Sequence, residues 1–223
     1  MIQFDRAQQK IAFSLFVVAI IATSMLAFVD QVTKEPIAEA QRAALHKSLQ
    51  QVLPEHSNDV LQEMFTFSIG EDKAVKVYPA RDKQGKVIAY AWEQVAPDGY
   101  SGSIRILMGV RASGEIVAIR VTEHRETPGL GDGITKNAAW LQRFVDKTLN
   151  NIAWAVKKDG GDFDQFTGAT ITPRAVVKAV HAGLTMYKTN SAALYKALQE
   201  ADKKLLDEKF KLLEKKAAGG KTS

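Results

Sequence analysis

Residues 164–174 read Asp164-Gln165-Phe166-Thr167-Gly168-Ala169-Thr170-Ile171-Thr172-Pro173-Arg174. The stretch joins a turn to a helix. Gly168 lets the backbone bend or come close to a ligand. Thr172 is placed to cap a helix over 173–187, with Pro173 as its first residue. Thr167, Thr170 and Thr172 put hydroxyls on the turn, and the unpaired N–H groups and positive dipole end of the helix face them. That arrangement seats a phosphate, and Arg174 adds a cation. An ordinary threonine cap behind a glycine turn has the same pattern and is the commoner reading of these residues alone.

Upstream the chain is rich in strands. Residues 74–80 and 87–95 are short runs with β-branched and aromatic side chains. Residues 104–110 and 115–122 read as a hairpin, with Gly114 in its turn. Residues 127–132, Thr-Pro-Gly-Leu-Gly-Asp, form a loop, because one Pro and two Gly fall within six positions. Residues 137–148 read as a helix with Trp140, Leu141 and Phe144 on one side. Trp92, Trp140 and Trp154 are expected to pack rather than stack on a ligand.

Nearer the amino terminus, residues 11–29 are nineteen positions without a charge. As a helix they span about 28 Å, close to the roughly 30 Å hydrocarbon core of a bilayer. The run exceeds the apolar region of a cleavable signal peptide, and no clear A-x-A site follows it, so an uncleaved anchor is expected. Arg6 and Lys10 precede the span and Lys34, Arg42 and Lys47 follow it, so the distribution of positive charge does not decide its orientation. Helix continues over 31–51, with Ile37, Ala40, Ala44, Leu45 and Leu49 at helical spacing. Pro36 marks a kink or a fresh start, and Leu53-Pro54-Glu55 ends the helix.

Composition narrows the function classes. The 223 residues carry 30 Lys and Arg against 25 Asp and Glu, a net charge of +5 spread along the chain. No concentrated basic patch points to nucleic acid. With no cysteine, disulfides, thiolate zinc sites and thiolate-held iron–sulfur clusters are excluded within the chain. His46, His56, His124 and His181 lie far apart without a metal-binding spacing, so no metal site is expected. No residue earns an acid–base catalytic role. The charged helix expected over 192–216 bears Leu205, Leu206, Phe210, Leu212 and Leu213. Those side chains suit either cover for the domain's own core or docking to a partner helix or membrane surface.

Asp164, Thr167, Gly168, Ala169 and Thr170 match the D-x-x-[ST]-G-A-T acceptor motif of domains that carry covalently attached FMN. His124 to Asp132, HRETPGLGD, is similar to a second segment of the same proteins, and Gly99-Tyr100-Ser101-Gly102 to a third. With the anchor ahead of them, the order resembles the RnfG/RsxG family of the Rnf and Rsx electron transport complexes over most of the chain. The NqrC family of the sodium-pumping NADH:quinone reductases shares the flavin motif and is the alternative. An anchored assembly or binding protein without flavin is the non-redox alternative.

The resemblance implies an α+β fold: one transmembrane helix, then an FMN-binding domain with an antiparallel sheet and flanking helices. It implies FMN joined by a phosphoester to Thr170, with Thr167, Gly168, Ala169, Glu126, Thr127, Gly129 and Leu130 around the cofactor. It further implies a flavin transferase for maturation, other membrane subunits of an ion-translocating complex as partners, and lipid around the anchor. The location implied is the bacterial inner membrane, with the main domain in the periplasm. The domain plan is then a short cytoplasmic segment 1–10, the anchor 11–29, a helical membrane-proximal segment 30–75, the FMN-binding domain 76–190, a charged helix 191–216 and a disordered tail 217–223.

Overall fold

A computed structural model describes residues 6–70 and 73–219. The chain divides into two compact units, one through His46 and one from Lys47 onward. The first unit lies within helix α1 (Arg6–Val52), and its apolar run is exposed throughout. This helix is long and apolar enough to cross a membrane. It continues through Pro36 rather than breaking there. One turn earlier, the Thr33 hydroxyl donates to the Val29 carbonyl at 2.8 Å, so a side chain joins the backbone ladder near the position where proline withholds its own N–H.

The second unit is built on a five-stranded antiparallel meander, β1 (Phe65–Ile69), β2 (Lys73–Arg81), β3 (Val87–Gly99), β4 (Gly102–Arg111) and β5 (Ile116–Glu123), in that spatial order. The hairpin between β4 and β5 closes on Gly114, whose φ of 96° suits glycine. β4 is buried almost continuously from Ile106 to Val110, as expected of a strand covered on both faces. Helix α4 (Ile171–Gly219) covers one face, and Gly183 sits against the Met108 sulfur. The end of α1 covers the other. Leu49 and Val52 are fully buried there, and Gly109 lies so close to the Val52 backbone that no Cβ would fit between them.

Several elements differ from the sequence expectation. The segment 30–75 is not helical throughout: α1 ends at Val52, and β1 occupies Phe65–Ile69. The expected helix 137–148 shortens to α3 (Ala138–Gln142), which follows the single turn α2 (Gly133–Lys136). Its expected second half is claimed by the sheet. The Asp146 N–H donates to the Ile116 carbonyl, the Ile116 N–H donates to the Lys147 carbonyl, and Asp146 turns to a φ of 58° between them.

The two helices expected after residue 172 are one helix of 49 residues. Residues 188–191 contain neither Gly nor Pro, and the Asn190 side chain donates back to the Met186 carbonyl within the helix. Helix α4 starts at Ile171, two residues before the expected Pro173, so Thr172 lies inside the first turn and is not the cap. Pro173 is tolerated there because a first-turn N–H has no intrahelical partner to lose. Residues 217–219 of the expected disordered tail are helical, and 220–223 lie outside the described residues, as do residues 1–5 of the expected amino-terminal segment.

Candidate functional site

Aromatic packing holds the 164–170 segment in place. Phe144 and Phe163 meet at 4.5 Å between ring centroids, and Trp140 touches both Phe144 and Phe166. The Trp140 indole N–H donates to the Asp164 carbonyl at 2.8 Å. The chain then turns over Phe166-Thr167-Gly168-Ala169, with the Ala169 N–H donating to the Phe166 carbonyl at 3.0 Å. Gly168, third in this turn, has a φ of 77°, where a side chain would be strained. Thr170 follows as the helix cap. Its carbonyl accepts from the Arg174 N–H at 3.3 Å. Its half-buried hydroxyl has no hydrogen-bond partner among the described residues.

Three separated segments meet behind this turn, and the Glu126 carboxylate joins them. Glu126 is only 4% exposed. Its Oε1 accepts from the Ser101 N–H at 3.0 Å, and its Oε2 accepts from the Thr172 hydroxyl. Two glycines make room for it. A Cβ on Gly131 would come within 2.8 Å of Oε2, and one on Gly99 within 3.0 Å of Oε1. The GYSG turn, the HRETPGLGD loop and the first turn of α4 are therefore assembled around one buried carboxylate.

The front of this assembly is a cavity of about 370 Å³ lined by Tyr100, Glu126, Thr127, Leu130, Thr170 and Ile171, among others. Small-molecule sites fall in the range of roughly 300–1,000 Å³. Tyr100 is 68% exposed, Leu130 48% and Ile171 45%, giving the cavity an apolar rim. Its floor is the amino terminus of α4, where the N–H groups of Ile171 and Thr172 precede any intrahelical acceptor. The site can thus take a phosphate on its floor and a flat apolar group at its rim.

Of the residues expected at the site, Glu126, Thr127, Leu130, Gly168, Ala169 and Thr170 line this cavity. Thr167 lines a neighbouring concavity with Gly129, Asp132, Lys136 and Phe166, and only Leu130 is shared between the two. Arg174, expected to add a cation, faces elsewhere: its guanidinium makes a bidentate pair with Asp159 at 2.6 and 2.9 Å. Tyr100, Gly131, Ile171 and Thr172 also line the cavity, beyond the cofactor contacts that the motifs imply. The GYSG motif points to Tyr100. The depth of Thr172 follows only from the early start of α4.

Two expectations arise here. Arg174→Gln should leave both ligand attachment and stability close to those of the unchanged chain, since its ion pair with Asp159 is exposed; a denaturation midpoint and a gel assay for bound flavin test this. Asp132 accepts from the Lys136 ammonium at 2.5 Å and the Gly129 N–H at 2.8 Å. The ammonium chiefly, with the N–H adding to it, holds the Asp132 carboxyl below its ordinary value against the opposing effect of burial. A carboxyl lowered on folding stabilises the fold above its unfolded pKa, and that contribution is lost as pH falls through the folded value. Thermal melts from pH 6 downward should therefore show a smaller acid-induced loss in Asp132→Asn than in the unchanged chain.

The chain falls in a flavin-binding class: residues 99–185 match the FMN-binding domain family, and residues 1–52 match the RnfG N-terminal region. The chain is 40% identical over 196 residues to the G subunit of the ion-translocating oxidoreductase complex of Shewanella baltica, covering 83% of this chain and 92% of that one. It is 48% identical over 177 residues to the protein of the same name from Photorhabdus laumondii, covering 75% and 84%. Among solved structures, NqrC of Shewanella oneidensis is similar with a TM-score of 0.45 and 21% identity, over 65% of this chain and 74% of that one. The chain belongs to the RnfG family, the G subunits of ion-translocating oxidoreductase complexes.

Proposed function

We propose that this protein is the flavin-carrying subunit of a membrane-bound, ion-translocating oxidoreductase complex, relaying electrons between neighbouring subunits through FMN esterified to Thr170. The observation that carries the attachment is the free Thr170 hydroxyl on a cavity at the amino terminus of α4. These residues fit the group. The Ile171 and Thr172 N–H groups suit the phosphate, the Gly168 turn keeps the approach open, and Tyr100, Leu130 and Ile171 suit a flat apolar ring. Thr127 offers a hydroxyl at the rim, and Gly129 shapes its loop at a φ of 78°. Thr167 contributes through the turn rather than by contact. FMN supplies one-electron chemistry, and the protein holds and orients it.

In this reading α1 anchors the chain in lipid of the bacterial inner membrane, and the domain lies in the periplasm. A flavin transferase attaches the cofactor, with the other subunits of the complex as partners. The test is intact-mass spectrometry after co-expression with a flavin transferase. The expected result is a gain of one esterified FMN, localised to the peptide containing Thr170. An unmodified mass, with the transferase active on a control acceptor, would overturn the assignment.

A further inference from the structure

Glu126 is the one charged side chain among the described residues that line the Thr170 cavity. Both of its oxygens accept hydrogen bonds, and both donors are neutral: the Ser101 N–H and the Thr172 hydroxyl. It takes part in no ion pair among the described residues. Lys136 is committed to Asp132 and Arg174 to Asp159, and the adjacent Arg125 is exposed and makes no ion pair with Glu126 among the described residues. At 4% exposure the carboxylate is poorly screened by solvent and salt. Gly99 and Gly131 bring backbone against it on two sides, so it cannot swing away from the cavity wall without displacing the chain.

We propose that the Glu126 carboxylate opposes electron uptake by the cofactor held in this cavity and so sets its midpoint potential low. The inference rests on the flavin reading of the site. The step is a single-electron transfer: a reduced redox centre of a neighbouring subunit loses one electron and the bound ring gains it. No covalent bond forms or breaks, and Glu126 gives up no proton. The added negative charge is opposed by the buried one, while the oxidised ring is not. Charge close to the ring is a recognised way for a protein to tune a flavin. Hydrogen bonding of both oxygens, together with the glycine cradle, keeps the carboxylate in place during turnover.

The test is a redox titration of the full-length, flavin-loaded protein at fixed pH, comparing the unchanged chain with Glu126→Gln and Glu126→Asp. Glutamine keeps the shape and removes the charge, so the reduction equilibrium should shift at least tenfold toward the reduced form, a rise of about 59 mV for a one-electron couple. Aspartate keeps the charge, so its midpoint should stay near that of the unchanged chain. A purely structural role would move the melting temperature of both variants and the potential of neither.

Should Glu126→Gln not fold, Glu126→Met with Thr172→Val removes both side-chain partners of the buried hydrogen bond together, the substitution pattern that costs least. The same rise is expected there. Loaded variants with unshifted midpoints would overturn this inference alone. An unchanged chain that carries no flavin would overturn the flavin reading and the inference with it.

Discussion

Thr170→Val is expected to abolish covalent flavin while leaving the fold as it is. Valine keeps the branched shape and removes only the hydroxyl. That hydroxyl has no hydrogen-bond partner among the described residues, so its loss breaks no internal contact. The capping interaction at this position uses the Thr170 carbonyl, which valine retains. The stability cost should therefore stay below about 1 kcal/mol, the lower part of the range for a lost side-chain cap. Flavin fluorescence after denaturing electrophoresis reads the result directly. A band of undiminished intensity in the variant would show that the ester lies elsewhere. Thr167→Val should keep its band, because Thr167 faces the neighbouring concavity.

The second large effect is expected from Gly131→Ala. The added methyl would meet the Glu126 carboxylate at 2.8 Å and the Thr172 hydroxyl at 2.9 Å. Neither neighbour can give way cheaply, since each is the other's hydrogen-bond partner and both are buried. Overpacking of this kind costs about 1–3 kcal/mol, and each kcal/mol lowers Tm by roughly 2–4 °C in a protein of this size. Displacement of Thr172 also moves the first turn of α4, so flavin transfer should slow. Normal stability together with normal flavin loading in Gly131→Ala would mean that the three segments do not depend on the Glu126 contact. Gly129→Ala makes a useful contrast, because no atom lies within 4 Å of its added methyl and only the positive φ is penalised.

Much of this fold is legible where local rules decide. The apolar run of α1, the β-branched and aromatic runs of β3 and β4 and the Gly114 turn each declare themselves within a few residues. What stays hidden depends on partners distant in sequence. Residues 143–148 have helical character, yet the Asp146 N–H and the Lys147 carbonyl pair with Ile116 and draw the chain out of the helix. β1 has five residues, too few for its alternation to stand out beside the preceding helix. The start of α4 is easily misplaced because Thr172-Pro173 is a familiar helix opening, whereas the real cap lies two residues earlier. At the site, the motifs mark Thr170, which lines the cavity, whereas the local reading of the helix start misleads over Arg174, because nothing near it in sequence marks Asp159 as its partner. The motifs mark Glu126 as a cofactor contact. Its side chain also holds the loops together, a role that emerges only when Ser101 and Thr172 are brought beside it.

The order of elements along the chain bears on how the protein is made. Each strand of the meander pairs with the one just before it, so the sheet can grow strand by strand as the chain is delivered. The cover for one face arrives last: Val176, Val180 and Leu184 belong to the final helix. A chain halted before residue 171 would display a complete five-stranded sheet with one oily face uncovered, a target for chaperones and proteases. Thr170 stands at that same junction, and Glu126 can grip Thr172 only once the helix has docked. A modifying enzyme that recognises the assembled corner would therefore mark finished molecules alone, and cofactor loading would double as an inspection step.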